Sequence, residues 1–215
     1  RNFSRGSFSW STNFNFSSVE SQIVSLNTSS GFYDRTSWWM NNWTQRSTVG
    51  QAPWLFYGYE ADGLFESLDE LENAALPVDN NGNKLPIAED GIWLGDVKYK
   101  DISGPDGVPD GIIDTHDQTY IGNPNAKFSL GFTNSFSYKA FDLSVLLTGA
   151  FGYDVYNYTA YTATQPNNIN LSRNFLNRAY DYARIELNDG GDPEITNLGT
   201  DVPRINVDDL NGNYN

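Results

Sequence analysis

Between Gly104 and Gln118 the chain reads GPDGVPDGIIDTHDQ, a spacing of carboxylates and glycines that suits cation chemistry. Laid on a calcium-loop template, Asp106 takes the first position and Asp110 the fifth. Gly111 then falls at the sharp turn, the Ile112 carbonyl at the seventh position and Asp117 at the last. With Asp114 between them, these residues form a candidate Ca2+ ligand set. Val108 stands at the third position, where an oxygen ligand belongs, and Asp117 is a short carboxylate where the template carries a bidentate Glu. The competing reading is a string of Asx turns, whose aspartates bond to their own backbone and otherwise face water. Both readings give the loop a structural task.

Catalytic chemistry has little to stand on. The sole histidine, His116, lies in this turn with no cysteine and no Gly-x-Ser-x-Gly elbow beside it, so it reads as a bystander or an outer ligand. Carboxylates are abundant enough to supply a glycosidase pair, but abundance is not placement. No enzyme activity is expected. SWWMNNW, from Ser37 to Trp43, reads as an interfacial aromatic girdle or, alternatively, as a sugar-stacking platform.

The elements that carry these residues are strands. From Ser7 to Ser17, Phe8, Trp10, Thr12, Phe14 and Phe16 alternate with Ser and Asn. That strict period of two is the mark of a strand with one apolar face. Residues 127–138 repeat it, with Phe128, Leu130, Phe132, Phe136 and Tyr138 on one face. Residues 141–151 do so again with Phe141, Leu143, Val145, Leu147 and Phe151, and a short turn at Lys139-Ala140 makes the pair a hairpin. A less regular extended stretch is expected over 54–65. Residues 66–123 form a long acidic loop, and 158–215 a second one with a helical piece near Leu171–Arg184, capped by Ser172 or an adjacent Asn.

Composition narrows the class. Thirteen basic against 27 acidic residues leave a net charge of −14. Such a chain has nothing with which to neutralise a row of phosphates, so nucleic acid is excluded as a partner. No apolar run is long enough for a transmembrane helix. Arg1 opens no secretory leader, so the sequence is expected to begin inside a longer or processed protein. Cysteine is absent, and with it any disulfide framework. Asn-x-Ser/Thr triplets at Asn2, Asn15, Asn27, Asn42, Asn157 and Asn170 are attributed to chance in an Asn- and Ser-rich chain.

The polar faces of the alternating strands are small and almost uncharged. A soluble sandwich usually puts Lys, Glu, Arg and Thr there. An outer-membrane barrel instead turns its apolar face to lipid and a polar face to its lumen, and joins its strands by short turns on one side and long loops on the other.

Six blocks carry a family resemblance: YGYEADGLF from Tyr57, GDVKYKD from Gly95, the Asp-rich run through Asp117, YIGNPNAKFSLGF from Tyr120, SYKAFDLSVLLTGAFGYDVYN from Ser137, and VPRINVDDLNGNY from Val202. In order and spacing the chain resembles a late portion of the SusC/RagA-type TonB-linked outer-membrane transporters. The resemblance implies an all-β fold, an antiparallel transmembrane β-barrel segment with long extracellular loops, supplying about four strands of a much larger barrel. It implies an energised importer of oligosaccharide or peptide in the outer membrane of a Gram-negative bacterium of the Bacteroidota. Its partners would be a SusD-like surface lipoprotein, the TonB system and membrane lipid. Against the family's usual DVNGDGVID-like run, Pro105–Pro109 reads as an insertion, with Asp101 and Ser103 as substitute ligands. The alternatives are a soluble calcium-dependent β-sandwich adhesin or carbohydrate-binding module and, third, an extracellular hydrolase.

Overall fold

The computed structural model describes residues 2–37, 40–164, 174–206 and 208–213. Along the chain the strands are β1 (Phe3–Arg5), β2 (Phe8–Ser17), β3 (Phe32–Ser37), β4 (Met40–Thr48), β5 (Leu55–Tyr59), β6 (Ala61–Leu64), β7 (Leu76–Pro77), β8 (Val97–Tyr99), β9 (Ile112–Ile113), β10 (Gln118–Gly122), β11 (Phe128–Tyr138), β12 (Phe141–Phe151), β13 (Ile185–Leu187) and β14 (Pro193–Ile195). Two short helices, α1 (Leu68–Asn73) and α2 (Tyr158–Thr164), lie among them. The chain forms two compact units, Arg1–Tyr57 with Tyr120–Val155, and Gly58–Thr119 with Tyr156–Asn215.

The first unit holds two open four-stranded sheets, in the orders β1-β2-β11-β12 and β10-β5-β4-β3. No sheet among the described residues closes on itself. The long strands sit where the alternation predicts, because a period of two buries or exposes a whole face at once and so fixes both strand and register. Strand β2 pairs antiparallel with β11 (Phe14 opposite Phe132), and β11 with β12 (Phe132 opposite Leu147). The sheet neighbour of β2 is therefore not the next strand in sequence, as a simple up-and-down order would have it. The intervening chain builds β3 to β10 before returning.

In the second sheet, Arg46 on β4 stands directly opposite Asp34 on β3. Its Nε and Nη2 donate to the two carboxylate oxygens at 2.7 and 2.8 Å. The guanidinium lies 3.9 Å from the ring centroids of both Phe32 and Tyr57, so a cation is held between two aromatic faces.

The second unit buries Phe65, Leu71, Leu76 and Ile92 in one cluster and Leu94, Ala183 and Ile195 in another. Helix α1 starts at Ser67, whose hydroxyl accepts the Glu70 N–H at 3.2 Å, and it buries Leu71. Lys98 Nζ reaches Glu70 at 2.5 Å. That hydrogen bond raises the Lys98 pKa against desolvation. Desolvation also works against Glu70, but its bonds from Lys98 and the Glu66 N–H hold its carboxyl below the ordinary range.

Three expectations change. The stretch 54–65 is two strands, not one, since β5 and β6 part at Glu60 and join different sheets. The helix expected over 171–184 is replaced by a 3-10 turn at Asn177–Asp181, entered from an extended Leu176 without a side-chain cap; residues 171–173, with the proposed Ser172 cap, lie outside the described residues. A segment entered without a cap leaves its first N–H groups without side-chain acceptors, and a local bond, Ala179 N–H to Leu176 O at 2.9 Å, helps hold the short turn. Helix α2 at Tyr158–Thr164 was not expected. The two central tryptophans of SWWMNNW, Trp38 and Trp39, also lie outside the described residues.

Candidate membrane-facing surface and acidic turn

Cross-strand register decides which side chains share a face. On the β1-β2-β11-β12 sheet, Phe8, Trp10, Phe14 and Phe16 line up with Phe128, Leu130, Phe132, Phe136 and Tyr138, and these with Phe141, Leu143, Val145, Leu147 and Phe151. Nothing covers this face among the described residues: Phe14 is 61% exposed, Leu147 60% and Phe141 80%. A contiguous apolar surface of this extent in water would be far outside what soluble monomers present.

Its composition is layered along the strands. Near one end, Phe16, Phe128 and Phe151 form a run of stacked rings with centroid separations of 5.9 and 5.2 Å. Near the other end lie Phe8, Tyr138 and Phe141, with Trp10 stacked on Phe136 at 6.1 Å. Leu143, Val145 and Leu147 fill the middle of β12. Eleven residues of β12 at about 3.3 Å each, tilted as barrel strands are, rise roughly 25 Å. That is about the height of the apolar band of a membrane barrel between its aromatic girdles.

A polar residue sits within this face. Asn134 stands opposite Val145 and Thr12. Its Oδ1 accepts the Trp10 indole N–H at 3.0 Å and the Thr12 hydroxyl at 2.8 Å. Two local donors thus satisfy a carbonyl that would be costly to leave bare in an apolar medium.

The opposite face carries Ser9, Ser11, Asn13, Asn15, Ser129, Thr133, Ser135, Ser144 and Thr148. Asn15 lies across Gly131, where an added Cβ would stand 2.5 Å from its Oδ1, so only glycine leaves the amide this place. Leu146, 63% exposed, interrupts the polarity of this side.

The two ends of the sheet differ in their connections. Tyr138 and Phe141 are joined by Lys139-Ala140, with Lys139 at φ +55, and β1 turns into β2 at Gly6-Ser7 beside them. Lys139 N donates to Ser7 O at 3.1 Å, tying the two tight turns together. Ser17, Phe128 and Phe151, at the other end, lead into the long excursions.

The acidic turn is built from Asx bonds. Asp101 accepts the N–H groups of Asp110 (3.3 Å) and Gly111 (2.6 Å). Asp110 Oδ1 accepts from Ile112 N at 3.0 Å, and Ile112 pairs with Leu76 in a two-residue parallel bridge. Asp114 caps the 3-10 turn Thr115–Asp117 by accepting the His116 N–H at 2.7 Å, and its pKa is lowered chiefly by that bond. Asp117 is buried and spends both oxygens on backbone, taking Ile102 N (2.8 Å), Ser103 N (3.1 Å) and Asp114 N (2.9 Å). Asp106 is exposed at the turn tip. No group of three or more His, Cys, Asp or Glu converges in a metal-holding arrangement among the described residues. Of the Ca2+ ligand set Asp106, Asp110, Ile112, Asp114 and Asp117, three carboxylates, those of Asp110, Asp114 and Asp117, each accept from separate backbone N–H groups, and Asp106 stands apart at the exposed tip. Asp101 does take part, as a backbone acceptor.

Sequence reasoning missed Arg204, whose guanidinium donates four hydrogen bonds from a buried position. Its Nε and Nη2 donate to Asp96 at 2.7 and 3.0 Å, Nη1 to Glu89 O at 2.7 Å and Nη2 to Gly91 O at 2.9 Å. Asp96 also accepts Trp93 N and Asn213 Nδ2, so the GDVKYKD and VPRIN blocks meet in one network. Tyr99, its phenol pushed well up by burial, donates to Gly212 O at 2.8 Å. The signal available was the recurrence of charged residues inside two otherwise apolar or amide-rich blocks.

No family model matches the chain. Three curated proteins of Formosa agariphila do. TonB-dependent receptor P3 is 29% identical over 95% of the chain, TonB-dependent receptor P26 27% identical over 95%, and TonB-dependent receptor P39 30% identical over 69%. The chain spans 18%, 18% and 15% of these relatives respectively. With its open antiparallel sheets and one uncovered apolar face, the chain is a homologue of one part of the TonB-dependent receptors.

Proposed function

We propose that the chain forms part of the barrel wall of a SusC/RagA-type importer in the outer membrane of a Gram-negative bacterium of the Bacteroidota. It carries oligosaccharide or peptide with a SusD-like lipoprotein at its outer loops and TonB as its source of energy. The observation that carries this reading is the uncovered apolar face of β2, β11 and β12, aromatic at both ends and aliphatic in the middle of β12. Names of the relatives support the receptor class. The six sequence blocks support the SusC/RagA type and, through it, the lipoprotein and the substrate class. Residues 66–123 and 158–215 are then excursions on the outer side.

Spin labels test the membrane reading on neighbouring residues of one strand. With the protein assembled in the membrane, a label at Val145 is expected to be relaxed by lipid-soluble oxygen and one at Ser144 by a water-soluble reagent. Shielding of Val145 from both would place it in a protein core, as in a soluble sandwich, and end the transporter reading.

A further inference from the structure

The rim of the apolar face is electrically lopsided. Arg5 stands directly opposite Phe8 on β1 and so lies on the apolar face, at the end of the tight turns. Lys139 follows Tyr138, and its Nζ lies 5.3 Å from the centroid of that ring. Both cations therefore border the cluster Phe8, Tyr138 and Phe141. Neither has a carboxylate partner among the described residues. The nearby Asp142 is paired with Ser137, which puts it on the polar face.

At the other end, the apolar rim of Phe16, Phe128 and Phe151 has no such cation on its strands. Lys127 is there, but its side chain packs over Gly152, where an added Cβ would meet it at 2.9 Å, and it alternates with Phe128 to the other face. In a chain of net charge −14, two unpaired cations beside an aromatic row at one rim form a local exception.

We propose that Arg5 and Lys139, seated on the Phe8, Tyr138 and Phe141 row, bind the anionic headgroups of the phospholipid leaflet at the tight-turn end of the sheet. The proposal rests on the membrane reading above and adds a partner to it. Long basic side chains at a membrane rim keep their stems on apolar surface and their charges at headgroup level. Aromatic rings prefer the same depth. The phosphate oxygens supply the acceptors that the protein does not provide there.

Flotation of the full chain with vesicles tests this, using phosphatidylcholine alone and phosphatidylcholine mixed with phosphatidylglycerol. Arg5→Gln and Lys139→Gln remove the charge and keep a polar, unbranched side chain, and Gln at position 139 meets the same backbone conformation as Lys. Each cation near an anionic surface is worth about fivefold in binding at low salt, so the double variant is expected to lose roughly twenty-five-fold on the anionic vesicles and little on the neutral ones. Lys127→Gln should change neither, and added salt should erase the difference. If wild type and double variant prefer anionic vesicles equally, the rim proposal is overturned while the membrane reading stands. If wild type shows no preference for the anionic vesicles, the rim proposal likewise falls, while the membrane reading is decided by the spin labels at Val145 and Ser144.

Discussion

Arg204 and Asp96 lie 108 positions apart, yet their side chains form a two-pronged ion pair with almost no access to water, the carboxylate being 0% exposed and the guanidinium 8%. Gly95 makes the approach feasible. It sits at φ +77, and a Cβ there would come within 2.7 Å of the Ala183 Cβ and 3.1 Å of the Arg204 Cβ. Removing one partner would strand a buried charge and, with Arg204, the acceptors Glu89 O and Gly91 O. Arg204→Ala and Asp96→Ala are each expected to cost about 3 to 5 kcal/mol in the second unit. Denaturant unfolding followed by site-specific labels near Trp93 would check this. A change below 1 kcal/mol would contradict the keystone role.

A second expectation separates two aspartates of the acidic turn. Asp117→Ala leaves three backbone donors without their acceptor, at about 1 to 3 kcal/mol for each group that water does not reach. Asp106→Ala, at the exposed tip, should stay within about 0.5 kcal/mol. Protease nicking between Gly104 and Gln118 should rise sharply for the first and hardly for the second. A chelator should leave the wild-type pattern unchanged, because the carboxylates are held by N–H groups; faster nicking on calcium removal would restore the cation reading.

Much of the wall was legible in the sequence because its cause is local. The expected strand 141–151 coincides with β12, and those over 7–17 and 127–138 differ from β2 and β11 by a residue, since alternation of Phe and Ser reports a face directly. Strands β3 and β4 were not legible. Asp34 and Arg46 sit on a face shared with aromatic rings, and the pairing slips at Arg35/Thr36 and Thr36/Ser37, which destroys the period. The Asp96 network was invisible for a different reason: it depends on closure of a long loop, about which neither block says anything alone. The acidic turn was visible as a motif. Which atoms its carboxylates bind required the backbone to be placed.

Acid should loosen the turn at Asp114. The hydrogen bond from the His116 N–H lowers this carboxyl's pKa in the folded chain relative to the unfolded one. Its contribution is therefore fully present above the unfolded value, near pH 4, and is lost as pH falls through the lower folded value. The protection of the His116 amide, its exchange rate relative to the intrinsic rate at each pH, should fall as pH drops through that window. Asp114→Asn should abolish this loss of protection while keeping a capping oxygen; a wild-type protection factor that does not change with pH would refute the assignment.

Topology can be read with single cysteines and an impermeant thiol reagent on intact cells. Substitutions at Asp69, Asp110 and Asn197 are expected to label and one at Lys139 to be protected, since tight turns face the periplasm and long excursions the outside. Labelling at position 139 with protection at 110 would invert the arrangement.

The pairing of β2 with β11 also orders events in time. Strands β11 and β12 are joined by two residues and can zip as a hairpin on the microsecond scale, whereas Trp10 must find Asn134 across 124 positions. Closing so long a loop is entropically costly before any contact rewards it. The hairpin is thus the natural template, presenting a finished edge on which β2 adds late. Mutations in the Lys139-Ala140 turn should then slow assembly of this wall, while mutations in β2 should mainly hasten its loss.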